Sequence, residues 1–277
     1  METIGILAGN GSLPFAVAER VRADGRRPFL VGIADEAEED IESFDHRRVN
    51  WGRFGSVFQI LEGQGARRLL FVGGIARRPD LKVRHLDIET VRALPSLLRM
   101  LASGDDTILS GVLNLFEQRG FEVLSVPDIA PDLVLDTGRV FGPVPTSAEK
   151  RQMDLASRFL DSTSHFDVGQ GVVVCGTRIV AVEGVEGTDA MLDRVRRLRD
   201  EGRLSDRRDG VLVKLPKRGQ DMRVDLPTIG PRTIMGAAAA GLKGVAGASG
   251  STVLLDRDEV EELSERHSIF VRAVEAT

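Results

Sequence analysis

The chain has 277 residues, of which 42% are hydrophobic and 29% charged, a composition that excludes a disordered protein and is typical of an ordinary globular one. The formal net charge of −5 argues against general nucleic-acid binding, which depends on clustered surplus cations. A single cysteine, Cys175, excludes an internal disulfide and fits a reducing compartment.

The first half of the chain alternates apolar strands with amphipathic helices. Predicted strands lie at 3–8, 28–34, 69–72 and from 121, and predicted helices begin near Leu13, Phe54 and Asp105. Alternation of this kind over about 125 residues predicts a parallel, doubly wound sheet. We therefore predict a Rossmann-like domain at residues 1–130.

The second half begins after a proline-rich break, and we predict a linker at 131–145. Thr146, with Glu149 three residues later, forms a capping box that begins a helix and a second domain at 146–277. Further predicted elements are a hairpin around Gly176-Thr177, strands at 211–215, 252–255 and from Ile269, and helices at 189–199, 232–240 and 258–266. The predicted fold class is α/β, with a mixed sheet and helices in this C-terminal domain.

The turn after the first strand is a candidate nucleotide or phosphate site. Its sequence, GNGSLP, resembles the Gly-rich dinucleotide fingerprint but has Pro14 where the third glycine belongs. Asp35 ends the second strand, where a ribose-binding acid would stand, and Gly73-Gly74 after the next predicted strand would lie at the same sheet edge. The alternative is a tight turn without a ligand.

The segment VEGVEGTDAML of the second half is ambiguous. Three acids surround Thr188 between a strand and a helix; they are Glu183, Glu186 and Asp189. This arrangement fits a metal or ribose site, or else an N-cap of the following helix by Thr188 or Asp189. The segment DVGQ at 167–170 is similarly ambiguous. Cys175 lies in an apolar strand, which indicates a core residue.

The densest set of charges occupies residues 214–231, KLPKRGQDMRVDLPTIGP, on a predicted loop after a strand. Its cations are Lys214, Lys217, Arg218 and Arg223, and its carboxylates are Asp221 and Asp225. Cations at such a position suit a phosphate, and a carboxylate suits a metal or a water molecule. A solvated, self-paired surface loop is the alternative.

Five motifs together resemble the LpxI family of UDP-2,3-diacylglucosamine pyrophosphatases. They are AGNGSLP at 8–14, GDD at 104–106, DVGQ at 167–170, EGVEGTDAML at 183–192 and KRGQDMRVDLPTIGP at 217–231. The resemblance covers essentially the whole chain, and the last two motifs are long and specific. Arg218 stands where we would expect proline, a change that removes no hydrogen-bond donor.

The resemblance implies a Mg²⁺-dependent hydrolase that cleaves UDP-2,3-diacylglucosamine to UMP and 2,3-diacylglucosamine 1-phosphate (lipid X) in lipid A biosynthesis of Gram-negative bacteria. It makes Asp225 the catalytic residue, as a metal ligand or as a base, and leaves open which residues ligate the metal and which phosphorus is attacked. The predicted substrate-binding residues are Asn10, Gly11, Ser12, Gly74, Gln170, Thr188 and Lys214.

The diacylated substrate requires an apolar cavity. Candidates for its wall, with an ordinary core stripe as the alternative, are Leu94, Leu97, Leu98 and Leu101. The sequence shows no basic leader and no apolar stretch that could span a bilayer. We therefore expect a cytoplasmic enzyme at the surface of the inner membrane, with the ligand in a cleft between the domains and a homodimer as one option. Competing functions are a nucleotide-binding oxidoreductase and a non-catalytic sugar-nucleotide or lipid binder.

Overall fold

The computed structural model describes residues 1–33, 36, 39–50, 53, 55–74, 105–138, 140–166, 168–205 and 207–275. The chain divides into two compact units. The N-terminal unit consists of Met1–Pro131 and Asp221–Asp225, and the C-terminal unit of Asp132–Gln220 and Leu226–Thr277. Both units combine helices with sheets, which confirms the predicted α/β class.

The N-terminal unit is built around a parallel sheet. Its elements are β1 (Thr3–Ala8), α1 (Leu13–Ala23), β2 (Arg27–Ile33), a 3₁₀ helix (Glu39–Ser43), β3 (His46–Val49), α2 (Ser56–Gly63), β4 (Arg68–Val72), α3 (Asp105–Glu117), β5 (Glu122–Val123) and α4 (Val126–Ile129). The strand order is β3-β2-β1-β4-β5, and every neighbouring pair is parallel. This is the predicted doubly wound arrangement. The direction of winding reverses between β1 and β4, so a topological switch point lies there.

The sequence analysis missed one strand of this unit and predicted another too long. The strand β3 has the sequence HRRV with both arginines exposed, and an edge strand of this kind carries no apolar alternation that would reveal it. The strand predicted from Phe121 ends at Val123, because Ser125 caps α4 instead. The Ser125 hydroxyl accepts from the N–H of Asp128, and the Asp128 carboxylate accepts from the N–H of Ser125 at 2.8 Å.

An aromatic cluster forms part of the core between helices α2, α3 and the sheet. Phe116 of α3 is fully buried, with its ring centroid 4.5 Å from that of Phe58 and 5.7 Å from that of Phe121. Val224 packs against the same hydrophobic cluster, although it is far away in the sequence. This packing is one reason why Asp221–Asp225 counts with the N-terminal unit.

The C-terminal unit contains a mixed sheet with helices, as predicted. Its elements are β6 (Val140–Phe141), α5 (Ser147–Thr163), a 3₁₀ helix (Ser164–Phe166), β7 (Gly171–Cys175), β8 (Arg178–Val182), α6 (Gly187–Asp200), β9 (Val211–Lys214), β10 (Thr228–Ile229), α7 (Pro231–Ala239), β11 (Gly244–Ala248), β12 (Val253–Leu254), α8 (Arg257–His267) and β13 (Phe270–Val274). The main sheet has the order β6-β13-β11-β9-β7-β8, and β10 pairs with β12 separately.

Within the mixed sheet, β9, β11 and β13 are parallel, whereas β6, β7 and β8 pair antiparallel with their neighbours. The predicted hairpin is therefore confirmed as β7 and β8, and the capping box of Thr146 and Glu149 before α5 is also confirmed. Helix α7 begins at Pro231, one residue before the predicted start, because a proline in the first turn has no helical N–H bond to lose. None of the helices in the described part of the chain has the length and apolar character to cross a bilayer.

Candidate functional site

The first candidate site lies at the switch point of the N-terminal sheet, just beyond β1 and β4. The N–H of Asn10 donates to the Gly74 carbonyl at 2.8 Å, and the N–H of Gly74 donates to the Asn10 carbonyl at 3.2 Å. A Cβ atom at Gly73 would lie 2.6 Å from the Asn10 carbonyl oxygen, and Gly73 has φ +93°. Glycine therefore permits the close approach of these two turns. The structure brings together the glycine turns that we expected at one sheet edge.

The backbone hydrogen bonds between Asn10 and Gly74 limit which groups of this turn could contact a ligand. The N–H of Gly9 donates to the Val72 carbonyl at 2.9 Å, and that of Asn10 is already used by Gly74. Ligand contacts would then fall on groups such as the Asn10 carboxamide and the Ser12 hydroxyl. Ser12 precedes α1, but its side chain makes no capping hydrogen bond. Its backbone is already in the helical region, which turns the hydroxyl away from the first-turn N–H groups.

Glu36 is a buried carboxylate at this edge that sequence reasoning missed. It is only 7% exposed, and its Oε2 accepts from the Asn10 carboxamide at 3.4 Å. The sequence signal for it was an acid shortly after β2. We assigned the ribose-binding role to Asp35, the residue before Glu36. Asp35 lies outside the described residues. The same holds for Gly104, Asp167 and the proposed acyl-wall residues Leu94, Leu97, Leu98 and Leu101.

The second candidate site surrounds Lys214, the last residue of β9. Lys214 is only 8% exposed, and lysine is rarely this buried unless its ammonium group is hydrogen-bonded. The ammonium donates to Thr188 Oγ1 at 2.8 Å and to the Thr228 carbonyl at 3.0 Å. The Thr188 hydroxyl in turn donates to Glu183 Oε1 at 2.6 Å. A hydrogen-bonded chain thus holds the cation at the carboxyl end of a central strand.

Strand pairing adds Gln170 to this cluster. The Gln170 carbonyl accepts from the N–H of Leu215 at 2.9 Å, and the next residue, Gly171, lies opposite Lys214 in the β7–β9 ladder. Three of the predicted substrate-binding residues of the C-terminal unit, Gln170, Thr188 and Lys214, are therefore neighbours.

The glycines of the DVGQG segment make room for the Glu183 side chain. A Cβ atom at Gly169 would lie 2.7 Å from Glu183 Cβ, and one at Gly171 would lie 2.7 Å from Glu183 Oε2. Sequence reasoning treated Glu183 only as one of three acids around Thr188. The structure instead makes it the hydrogen-bond acceptor for the Thr188 hydroxyl, with two glycines beneath it.

The proposed cluster of three acids around Thr188 does not form. Glu186 pairs with Arg194 at 3.3 Å, and Asp189 pairs with Arg232 on α7. The alternative of an N-cap by Thr188 is also wrong, because α6 begins at Gly187 and Thr188 lies within its first turn. Within the described ranges, no group of three or more His, Cys, Asp or Glu side chains could hold a metal ion.

The charge-dense loop is partly self-paired. Arg218 pairs with Asp161, with Nη2 and Oδ2 2.8 Å apart. Arg223 donates from Nε and Nη2 to the two carboxylate oxygens of Asp221, at 2.8 and 2.6 Å. These hydrogen bonds from Arg223 hold the pKa of Asp221 below its ordinary value, against the opposing effect of burial. Half-buried Asp225 follows two residues after Arg223 in the same segment.

Cys175 is structural, as expected. Burial raises the pKa of its thiol to about 11, so the thiol is protonated at neutral pH and is a poor nucleophile. Its Sγ lies 3.4 Å from the Asp209 carbonyl, to which it donates.

Comparison with known proteins agrees with this architecture. A family model for the LpxI N-terminal domain matches residues 3–133, and one for the LpxI C-terminal domain matches residues 136–272. The chain is also similar to UDP-2,3-diacylglucosamine pyrophosphatase LpxI of Caulobacter vibrioides, at 36% identity over 277 residues, covering 99% of this chain and 98% of that protein.

The Arg223–Asp221 pair leads to an expected pH dependence of stability. A carboxyl group whose pKa is lowered on folding stabilises the protein fully above its unfolded pKa, here 3.8, and this contribution is lost as pH falls through the folded pKa. The difference in urea midpoint between the wild type and Asp221→Asn should therefore be constant from about pH 7 to about pH 5 and shrink below about pH 4. A difference that stayed the same down to about pH 3 would contradict this assignment.

Proposed function

The chain belongs to the LpxI family, and we propose on that basis that it hydrolyses the pyrophosphate bond of UDP-2,3-diacylglucosamine. The products are UMP and 2,3-diacylglucosamine 1-phosphate (lipid X), in lipid A biosynthesis. The observation that carries the proposal is that family models match both halves of the chain, while the curated relative aligns over 99% of it.

Lys214 and the N-terminus of α6 are suited to bind a phosphate of this substrate. The first turn of a helix carries partial positive charge on its N–H groups, and Thr188 lies in that turn with its hydroxyl on the Lys214 ammonium. Both the Lys214 ammonium and the first turn of α6 attract an anion, with the Glu183 carboxylate already on the Thr188 hydroxyl. We assign a phosphate to Lys214 and Thr188, with Gln170 beside them.

The switch-point turn of the N-terminal unit is suited to the nucleotide part of the substrate. In doubly wound sheets, nucleotides bind beyond the carboxyl ends of the strands at such a point. Asn10, Gly11, Ser12 and Gly74 lie at this edge. The Asn10 carboxamide and the Ser12 hydroxyl are groups of the kind that contact ribose or phosphate oxygens, and a Cβ atom at Gly74 would lie only 2.7 Å from Asn10 Oδ1. The proposal assigns these residues to substrate binding.

Asp225 is the proposed catalytic residue, and its carboxylate is a ligand type that Mg²⁺ accepts beside the phosphate oxygens of a substrate. The neighbouring carboxylate, Asp221, is held by the Arg223 guanidinium through both of its oxygens. Magnesium commonly takes one or two carboxylates and completes its shell with phosphate oxygens and water. When bound, the ion would neutralise charge on the pyrophosphate oxygens.

The chemical step is attack of a water oxygen on one phosphorus of the pyrophosphate. A P–O bond to that phosphorus forms as the P–O bond to the bridging oxygen breaks, and the bridging oxygen leaves with the other phosphate. As a base, Asp225 accepts the proton of the attacking water; as a metal ligand, it holds the ion. In both roles the carboxylate has to be fixed, and Pro227, with its restricted φ, follows two residues later.

Alanine at position 225 tests the proposed function. Asp225→Ala should stay folded and bind UDP-2,3-diacylglucosamine but lose turnover by roughly a hundredfold or more, as measured by UMP release with Mg²⁺. Asp225→Asn keeps an oxygen ligand but is a poor base, so partial activity in asparagine alone would favour the metal role. Wild-type protein that binds NAD and releases no UMP would contradict the proposal, as would near-normal kcat in the folded alanine variant.

The switch-point turn can be tested at Gly11. Gly11 and Gly25 flank opposite ends of α1, both have positive φ (+87° and +73°), and a Cβ atom at either position would meet no other atom within 4 Å. Valine at either position should lower the free energy of unfolding by about 1–2 kcal/mol through backbone strain.

Gly11→Val should in addition raise KM at least about tenfold, because its side chain would crowd the substrate, while Gly25→Val should leave KM unchanged. Equal KM values in the two variants, at similar stability, would make the Gly11 turn structural only.

We propose further that the enzyme is cytoplasmic and contacts the inner membrane peripherally, where a substrate with two acyl chains resides. Burial of each methylene group contributes about 0.8 kcal/mol. A deacylated substrate should therefore show at least about a hundredfold lower kcat/KM than the diacylated one in mixed micelles. Equal kcat/KM for both substrates would argue against an acyl-binding cavity.

A further inference from the structure

Glu117, the last residue of α3, contacts the segment that carries Asp225. Its carboxylate accepts from Arg223 Nη1, and the same guanidinium binds both carboxylate oxygens of Asp221. One guanidinium thus joins two carboxylates, one of them 106 residues away in the sequence. Both acids raise the pKa of Arg223 further above its already high value, Asp221 more than Glu117, so the cation is permanent.

The backbone of the segment is folded around the same groups. The N–H of Arg223 donates to Asp221 Oδ1 at 3.0 Å, and the N–H of Val224 donates to the Asp221 carbonyl at 3.2 Å. The Val224 side chain packs against the hydrophobic cluster that includes Phe116, the residue before Glu117. Two consecutive residues, 223 and 224, are therefore attached to the N-terminal unit by an ionic and an apolar contact. Asp225 follows directly.

Glu117 is unfavourable for the helix in which it lies. The C-terminal end of a helix carries partial negative charge and favours cations, yet the last turn of α3, within the described residues, has no basic residue and ends in an acid. Arg223 provides the cation from the loop instead. An acid kept at the C-terminal end of a helix, against this preference, indicates that the residue has a role other than helix stability.

We infer that Glu117 is a positioning residue for Asp225: it fixes Arg223 and so orients the turn that presents the catalytic carboxylate. The inference rests on the proposed function. Arg223, whose charge alone predicted a phosphate ligand, then acts inside the protein, because its Nε and both Nη atoms donate to carboxylates. Glu117 itself exchanges no proton and forms no bond with substrate. A small displacement of a reacting group is enough to lower the rate of the chemical step strongly.

Substitution of Glu117 tests this inference. Glu117→Ala and Glu117→Gln should lower kcat by roughly tenfold to a hundredfold, with KM within about twofold of the wild-type value and no change in Tm. Glu117→Asp keeps the charge and should recover part of the lost kcat. The matched control is Glu122→Ala, which removes another exposed glutamate of the same unit, paired with Arg68 at 3.1 Å. Its kcat should equal that of the wild type.

A double-mutant cycle separates positioning from a general structural effect. If Glu117 acts through Arg223, the double variant Glu117→Ala/Arg223→Ala should have the kcat of Arg223→Ala alone. Independent, multiplying losses would overturn the inference. So would a raised KM at unchanged kcat, because Arg223 would then belong to substrate binding.

Asp225→Ala, measured in parallel, distinguishes failure of the inference from failure of the proposed function. An inactive Asp225→Ala beside fully active Glu117→Ala and Glu117→Gln would overturn only the role of Glu117. Normal turnover in Asp225→Ala would overturn the catalytic assignment and the positioning role together.

Discussion

The pair of backbone hydrogen bonds between Asn10 and Gly74 is the contact on which the proposed N-terminal site depends. It closes the carboxyl edge of the parallel sheet at the point where the winding reverses, and it requires glycine at 73 because a side chain there would collide with the opposite carbonyl. With these amides paired, the polar groups that remain for recognition are mainly side chains. The turn therefore differs from a dinucleotide-binding loop, although the sequences resemble each other.

Lys214 imposes the corresponding constraint on the C-terminal unit. A buried ammonium has to be hydrogen-bonded, and here Thr188 and the Thr228 carbonyl accept from it, with Glu183 behind Thr188. The glycines around Gln170 are part of the same constraint, because they leave space for the Glu183 side chain. This buried cation at the carboxyl end of a strand is the basis of the phosphate contact proposed for Lys214.

The arginines of the charge-dense loop at 214–231 differ in their contacts, and residue type alone does not predict this difference. Arg218 and Arg223 look alike in the sequence, yet Arg218 forms an exposed pair with Asp161 and Arg223 is bound by two carboxylates of the N-terminal unit. Exposed pairs contribute little to stability. The bidentate pair of Arg223 with Asp221 lies next to Asp225 in the chain, and the role proposed for it is to fix the geometry of this carboxylate.

The sequence by itself determined the α/β class, the parallel, doubly wound character of the first sheet, the capping box at Thr146 and the family, because apolar periodicity, turn glycines and long motifs are local signals. It missed β3, a charged edge strand, and predicted β5 too long, because the cap at Ser125 ends the strand early. Only the tertiary structure decided that Lys214 meets Thr188 and that Arg223 meets Glu117. These contacts join residues that are 26 and 106 positions apart in the sequence. Contacts over such separations depend on strand pairing and packing, which a local sequence pattern does not predict.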